Sequence, residues 1–312
     1  MERFLVTGGA GFIGSNICKR LVSQGCFLRV IDNLLTGKKG NLADIMSKIE
    51  FVEADMGDER TARKAMQGID VVLHQGALPS VPRSVDDPVA TNKHCIDATL
   101  TLLLAARDAG VKRFVFAASS SAYGDTPTLP KVETMAVTPL SPYAVAKLAG
   151  EYYCSVFYKV FGLETISLRY FNVFGPNQDP TSQYAAAIPA FVTAILKGEG
   201  PTVFGDGEQS RDFTYVDNVV EANLLAARAK HTAGEVVNIA CGEAVTVNEI
   251  IGMINRIVGK NVKPIYAPPR PGDVKHSLAD ITLAKKLIGY KPTVSFGDGL
   301  KIAIDWYREN LL

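Results

Sequence analysis

The first half of the chain alternates short apolar runs with amphipathic stretches. "RFLVTG" reads as a β-branched strand that turns at glycines into "FIGSNICKRLVSQG", where apolar residues recur at helical spacing. "FLRVID", "IEFVEAD", "DVVLHQ" and "KRFVFAAS" read as further strands, and "LETISLRYFNVFG" as a sixth. Helices are expected between them at 42–46, Glu59–Met66, 87–109 and Pro142–Phe161. Strand–helix–strand alternation implies right-handed βαβ units and a parallel sheet covered on both faces. Beyond about residue 175, proline and glycine break the rhythm in "GPNQDPTSQY", "KGEGPTVFGDGEQSRDF" and "YAPPRPGDVKHS", and short strands such as "EVVNIA" and "VKPIYA" mix with helices. The expected fold is α/β. A doubly wound parallel sheet occupies residues 1–174 and a smaller mixed α/β lobe 175–312, with segments near 212–240 returning to the first domain.

The chain has 312 residues and is 47% hydrophobic, enough for a substantial core. A formal net charge of +1 provides no field to gather nucleic acid or an anionic membrane. The five cysteines (Cys18, Cys26, Cys95, Cys154, Cys241) form no CxxC, and one is left over after pairing, which suits a reducing compartment. The four histidines lack ligand spacing, so no metal is expected. No apolar run approaches the ~20 residues of a membrane span. The N-terminus enters a strand too early for a signal peptide. A soluble, cytoplasmic protein is expected.

Two motifs carry chemistry. "TGGAGFIGS" sets Gly8, Gly11 and Gly14 between a strand and a helix, where a tight turn and free amides can cradle a pyrophosphate. Asp32 ends the second strand, 18 residues beyond Gly14. A carboxylate there accepts from ribose hydroxyls and repels a 2′-phosphate, so NAD is favoured over NADP. The second motif pairs the strand-end serines Ser119, Ser120 and Ser121 with Tyr143 and Lys147, which share a helix face in "SPYAVAKLAGE". A free phenol titrates near ~10. A neighbouring ammonium and a cationic nicotinamide favour the phenolate, letting Tyr143 act as a base. Lys147 could instead pair with Glu151, although Lys preceding Glu is the weaker orientation on a helix.

Together, GxxGxxG, the serine cluster and YxxxK resemble the extended short-chain dehydrogenase/reductase family, with its Rossmann sheet, over essentially the whole chain. "ALPSVPRSVDDP", "SSSAYGDTPTLPKVE" and "RYFNVFGPNQDP" look closest to its UDP-sugar 4-epimerase branch that handles acetylated sugars. The resemblance implies cofactor contacts from Phe12, Ile13, Asn33, Gly37, Asp55, Met56, Gln75, Ala77, Asn92 (as a buried asparagine) and Tyr170, besides the residues above. It implies Ser119 as the catalytic serine, with Ser120 able to share or take the role. On the substrate side it implies Ser80, Ser119, Ser121, Tyr143, Asn172, Arg211, Arg270, Asp273 and Ser277. Two arginines can fork onto a diphosphate. Ser277 stands where relatives limited to non-acetylated sugars carry a tyrosine. Gly76 and Ala98 depart from the family's usual residues.

The expectation is reversible C4 epimerisation of a UDP-hexose (UDP-GlcNAc/UDP-GalNAc, with UDP-Glc/UDP-Gal) through a transient 4-keto sugar, by a homodimer holding NAD tightly. A dehydratase-like nucleotide-sugar enzyme and a non-catalytic NAD-binding regulator remain as alternatives. Related dehydratases and decarboxylases carry acidic residues after the catalytic serine, where this chain has Ser120 and Ser121.

Overall fold

The computed structural model describes residues 2–179, 187–269 and 275–311. β1 (Arg3–Thr7), β2 (Phe27–Asp32), β3 (Glu50–Glu53), β4 (Val71–His74), β5 (Arg113–Ser119) and β6 (Glu164–Tyr170) form where the apolar runs predict strands. Between them lie α1 (Phe12–Ser23), α2 (Glu59–Met66), α3 (Val81–Asp86), α4 (Pro88–Asn92), α5 (Ala98–Asp108) and α6 (Pro142–Phe161). Two expected helices differ. Residues 42–46 form no α-helix. The chain makes 3₁₀ turns at Lys39–Leu42 and Met46–Lys48, anchored by buried Leu42 and Ile45. A segment this short has too few hydrogen bonds to sustain a helix. The expected helix 87–109 is divided by a π-helical turn at Lys93–Asp97. Thr99 Oγ1 donates to Cys95 O at 2.5 Å just beyond that turn, and the inserted residue changes which side chains face inward.

The later chain adds β7 (Val173–Phe174), α7 (Ala187–Lys197), β8 (Thr202–Phe204), β9 (Ser210–Arg211), β10 (Thr214–Tyr215), α8 (Val216–Ala227), β11 (Glu235–Ile239), β12 (Val245–Thr246), α9 (Val247–Val258), β13 (Ile265–Ala267), α10 (Thr282–Ile288) and α11 (Phe296–Leu311). β11 pairs with β6, so the central sheet is seven-stranded and parallel, in the order β11-β6-β5-β4-β1-β2-β3. Strand order reverses between β1 and β4, which opens a crevice at their carboxyl ends. Successive side chains alternate between two cores. Phe4, Val6, Val30 and Leu73 pack with Ile17 and Leu21 of α1 and Val219 of α8. Leu5, Ile31, Val72 and Phe116 pack with Met66 of α2, Leu102 of α5 and Phe157 of α6. Burying each such side chain contributes about 1.5–3 kcal/mol.

α6 begins where its sequence says it should. The Ser141 side chain accepts the Ala144 N–H at 3.2 Å and Pro142 fills the first turn. Gly162, at φ 72°, ends the helix. Tyr143 therefore stands on the first turn of α6, beside the carboxyl ends of the strands.

Candidate active site

The glycine turn is closed by backbone contact. Gly8 has φ 65°, and a Cβ there would lie 2.6 Å from Gly76 Cα. A Cβ on Gly14 would lie 2.2 Å from the Gly8 carbonyl oxygen. Gly11 caps α1 without a side chain, so the first amides of that helix have no side-chain acceptor. They face a cleft of about 720 Å³, which Phe12 and Ile13 also line. Asp32 joins this turn to the next loop. Its Oδ2 accepts Ala10 N–H at 2.9 Å and its Oδ1 accepts Leu34 N–H at 2.8 Å. Burial pushes its carboxyl up, and these two bonds act against that. Gly37 lies against Asp32, where a Cβ would come within 2.8 Å of Oδ2. Asn33 lines the same wall and accepts Leu35 N–H.

Met56, Gln75, Ala77 and Ser80 line the remainder of the cleft. Asp55 accepts the Gly57 amide at 2.8 Å and shapes the turn that presents Met56. Ser80 caps α3, accepting Arg83 N–H at 3.3 Å, with a strained φ of 104°. Gln75, Asn223 and Tyr170 form a closed ring. Gln75 Nε2 donates to Asn223 Oδ1, Asn223 Nδ2 to Tyr170 Oη, and Tyr170 Oη to Gln75 Oε1. Asn223, contributed by α8, is absent from the sequence reading because nothing local marks it. Asn92 is a correction. It is exposed and bonds Asp97 at 3.2 Å, whereas Cys95 is buried and faces Lys147. The π-helical turn explains the difference in register.

On the reacting side, the Ser119 hydroxyl faces the Tyr143 phenol and favours its ionised form. Ser119 Oγ accepts from Ser121 Oγ at 2.8 Å and from Ser121 N–H at 3.2 Å. Both its lone pairs are thus used, and its own proton is what it can give. Ser120 begins the turn Ser120–Tyr123. Lys147 Nζ donates to Ala117 O at 2.8 Å and lies 5.9 Å from the Tyr143 ring centroid. Glu151 is not its salt-bridge partner, because Arg169 holds that carboxylate. Burial pushes the Tyr143 phenol up, and Ser119 opposes this. The protein's own groups therefore favour the protonated phenol, and the expected ionisation draws on the nicotinamide charge as well as on Lys147.

Asn172, Arg211 and Ser277 lie close together. Asn172 Nδ2 donates to Asp212 O at 2.9 Å and to Ser277 Oγ at 3.3 Å. Arg211 Nη1 donates to the Ser210 and Lys275 carbonyls. Asp212, missed in the sequence, organises the cluster. Its carboxylate accepts the Cys241, Gly242 and Ala279 amides, and burial pushes it up to about 6. Arg270 and Asp273 lie outside the described residues.

A family model described as the NAD dependent epimerase/dehydratase family matches residues 4–240. The chain belongs to that family. The putative UDP-glucose 4-epimerase of Methanocaldococcus jannaschii is 39% identical over 308 residues, covering 98% of each chain. The solved UDP-N-acetylglucosamine 4-epimerase of Methanobrevibacter ruminantium, in complex with UDP-N-acetylmuramic acid, is 40% identical with a TM-score of 0.95 over 99% of both chains. The Thermus thermophilus UDP-glucose 4-epimerase, in complex with NAD, is 36% identical with a TM-score of 0.91, covering 99% of this chain and 100% of that one.

NAD is the cofactor of this epimerase/dehydratase family member. The cradle fits it, since Gly8 and Gly14 leave no room for a side chain where a pyrophosphate must approach. Among the described residues no helix is long and apolar enough to cross a membrane. Replacing Asp32 with Asn removes the charge that repels a 2′-phosphate. Titration of both dinucleotides is expected to show the NADP-to-NAD affinity ratio rising by about tenfold or more. An unchanged ratio would mean that Asp32 does not select the cofactor.

Proposed function

We propose that the protein inverts C4 of a UDP-hexose, interconverting UDP-GlcNAc with UDP-GalNAc and also UDP-Glc with UDP-Gal. The observation that carries this reading is Tyr143, 5.9 Å from Lys147 and faced by Ser119, in a cleft lined by the glycine turn, with no carboxyl group at positions 120 and 121. A dehydratase must also protonate a leaving hydroxyl, and those two serines offer no acid for it.

When bound, NAD supplies a reversible hydride acceptor for C4 and a cationic ring that favours the phenolate. Tyr143 Oη takes the C4 hydroxyl proton and returns it after the 4-keto sugar has turned its other face. Ser119 donates to the same sugar oxygen, held in orientation by Ser121. Lys147 adds its charge beside the phenol. Arg211 with Arg270 holds the diphosphate, supported by Asn172, and Asp273 accepts from the nucleotide ribose. Ser80 borders the sugar end of the cleft. A soluble cytoplasmic homodimer completes the proposal. α6 exposes Val145, Tyr152, Val156 and Val160 along one face, and Val85 and Val89 are exposed on α3 and α4. The cysteines suit a reducing compartment.

Incubating the purified protein with a panel of UDP-sugars and separating the products tests the reaction. C4 epimers are expected, and a stable 4-keto-6-deoxy product would replace this reading with dehydration. Ser277 sets the room beside C2. Ser277→Tyr is expected to raise KM for UDP-GlcNAc about tenfold or more relative to UDP-Glc, by overpacking against the N-acetyl group. Equal effects on both sugars would remove Ser277 from the C2 pocket.

A further inference from the structure

Glu151 has no part in the chemistry above, yet it is among the most deeply buried carboxylates of the chain. It lies on α6 one helical turn beyond Lys147, with its side chain 2% exposed. Arg169 of β6, 4% exposed, grips both oxygens: Nε donates to Oε1 at 2.9 Å and Nη2 to Oε2 at 2.7 Å. The guanidinium rests 4.6 Å from the Tyr123 ring centroid, and its Nη1 has no partner. Glu133 also acts on Tyr123 from the adjoining strap, and its backbone partner is Asn238. Replacing a buried ion pair with apolar side chains of similar volume is often neutral or stabilising. Packing alone does not explain the pair.

Lys147 is the group that needs it. Its ammonium is buried, with one hydrogen bond to a neutral carbonyl and the Phe116 ring 5.1 Å away. Burial favours the neutral amine, while Glu151 favours the charge. The groups facing it are few. Tyr143 and Glu151 come from its own helix, Cys95 from the π-helical turn and His74 from β4. β5 adds the Ala117 carbonyl and the Phe116 ring. Burial pushes His74 down to about 3, so it is neutral. It also raises the Cys95 thiol, which stays protonated. Among these groups Glu151 is the full negative charge.

We propose that Glu151, held by Arg169, is a positioning residue that keeps Lys147 protonated, so that Tyr143 and not Lys147 gives up the first proton. This rests on the proton-handling role assigned to Tyr143 and Lys147 under the proposed function. The two groups titrate as a coupled pair. Without Glu151, the Arg169 charge loses the carboxylate that grips it, with Glu133 still acting on it, and the ammonium loses its nearest negative charge; the first proton then leaves Lys147, and a phenol facing a neutral amine titrates higher.

The test follows Tyr143 ionisation in the NAD-bound protein by phenolate absorbance, taken as a difference against Tyr143→Phe, alongside the pH profile of kcat. Glu151→Gln is expected to move the Tyr143 titration and the acid limb of kcat upward by about 1 pH unit or more, with KM unchanged. Glu151→Asp, which withdraws the charge by one methylene, is expected to give a smaller shift in the same direction, and it serves if the Gln variant does not fold. A Tyr143 titration that overlays the wild type in either folded variant overturns the proposal. That readout needs no sugar. A shifted titration in a protein that turns over no UDP-hexose would support the positioning role and defeat the proposed reaction instead.

Discussion

Tyr143→Phe should lose turnover by roughly 10²–10⁴-fold while the purified protein still carries NAD. The substitution removes one oxygen and keeps the ring. The ring sits at the start of α6, where Ser141 and Pro142 fix the helix independently of the phenol. The cofactor cradle is built from other elements, the glycine turn and Asp32. Chemistry and cofactor retention should therefore separate. NAD content measured after denaturation, together with the epimerisation rate, checks both halves. Retained turnover would remove Tyr143 from the reaction.

The second large effect is expected from Gly14→Ala. The new methyl would stand 2.2 Å from the Gly8 carbonyl oxygen and 2.8 Å from Gly9 Cα, both backbone atoms with no rotamer to yield. Either α1 retreats or the turn opens, and the amides no longer converge on the pyrophosphate. An overpacking strain of about 2–3 kcal/mol corresponds to a loss of roughly 30- to 150-fold in NAD affinity. Gly40→Ala is the control, because a Cβ at Gly40 meets nothing within 4 Å. NAD titration of both variants decides the matter. Equal affinities would mean that the close approach at Gly14 has no bearing on the cofactor.

What was legible in the sequence follows from which forces are local. Glycine spacing in 7–15 reports steric demands of one turn, and the apolar runs report burial on both faces of a sheet. Asn92 was misplaced because helical periodicity carries no sign of a π-helical turn, and the His74 contact to Thr99 just beyond it comes from a distant strand. Asp212 and Asn223 were invisible because their partners lie on distant segments. The spacing of Lys147 and Glu151 suggested a pair, but the partner that holds Glu151 comes from β6. The raised phenol of Tyr143 likewise depends on packing that no local pattern records. The two-residue strands β7, β9, β10 and β12 are too short for a period to declare itself.

The most direct measurement follows the hydrogen on the inverted carbon. A UDP-hexose deuterated at C4 is incubated with the protein in ordinary water, and both sugars are recovered at equilibrium. Oxidation and reduction at C4 within a closed site predict that deuterium remains at C4 in both epimers. Deuterium lost to water would contradict that route, because the carbon would then have surrendered a proton instead of a hydride.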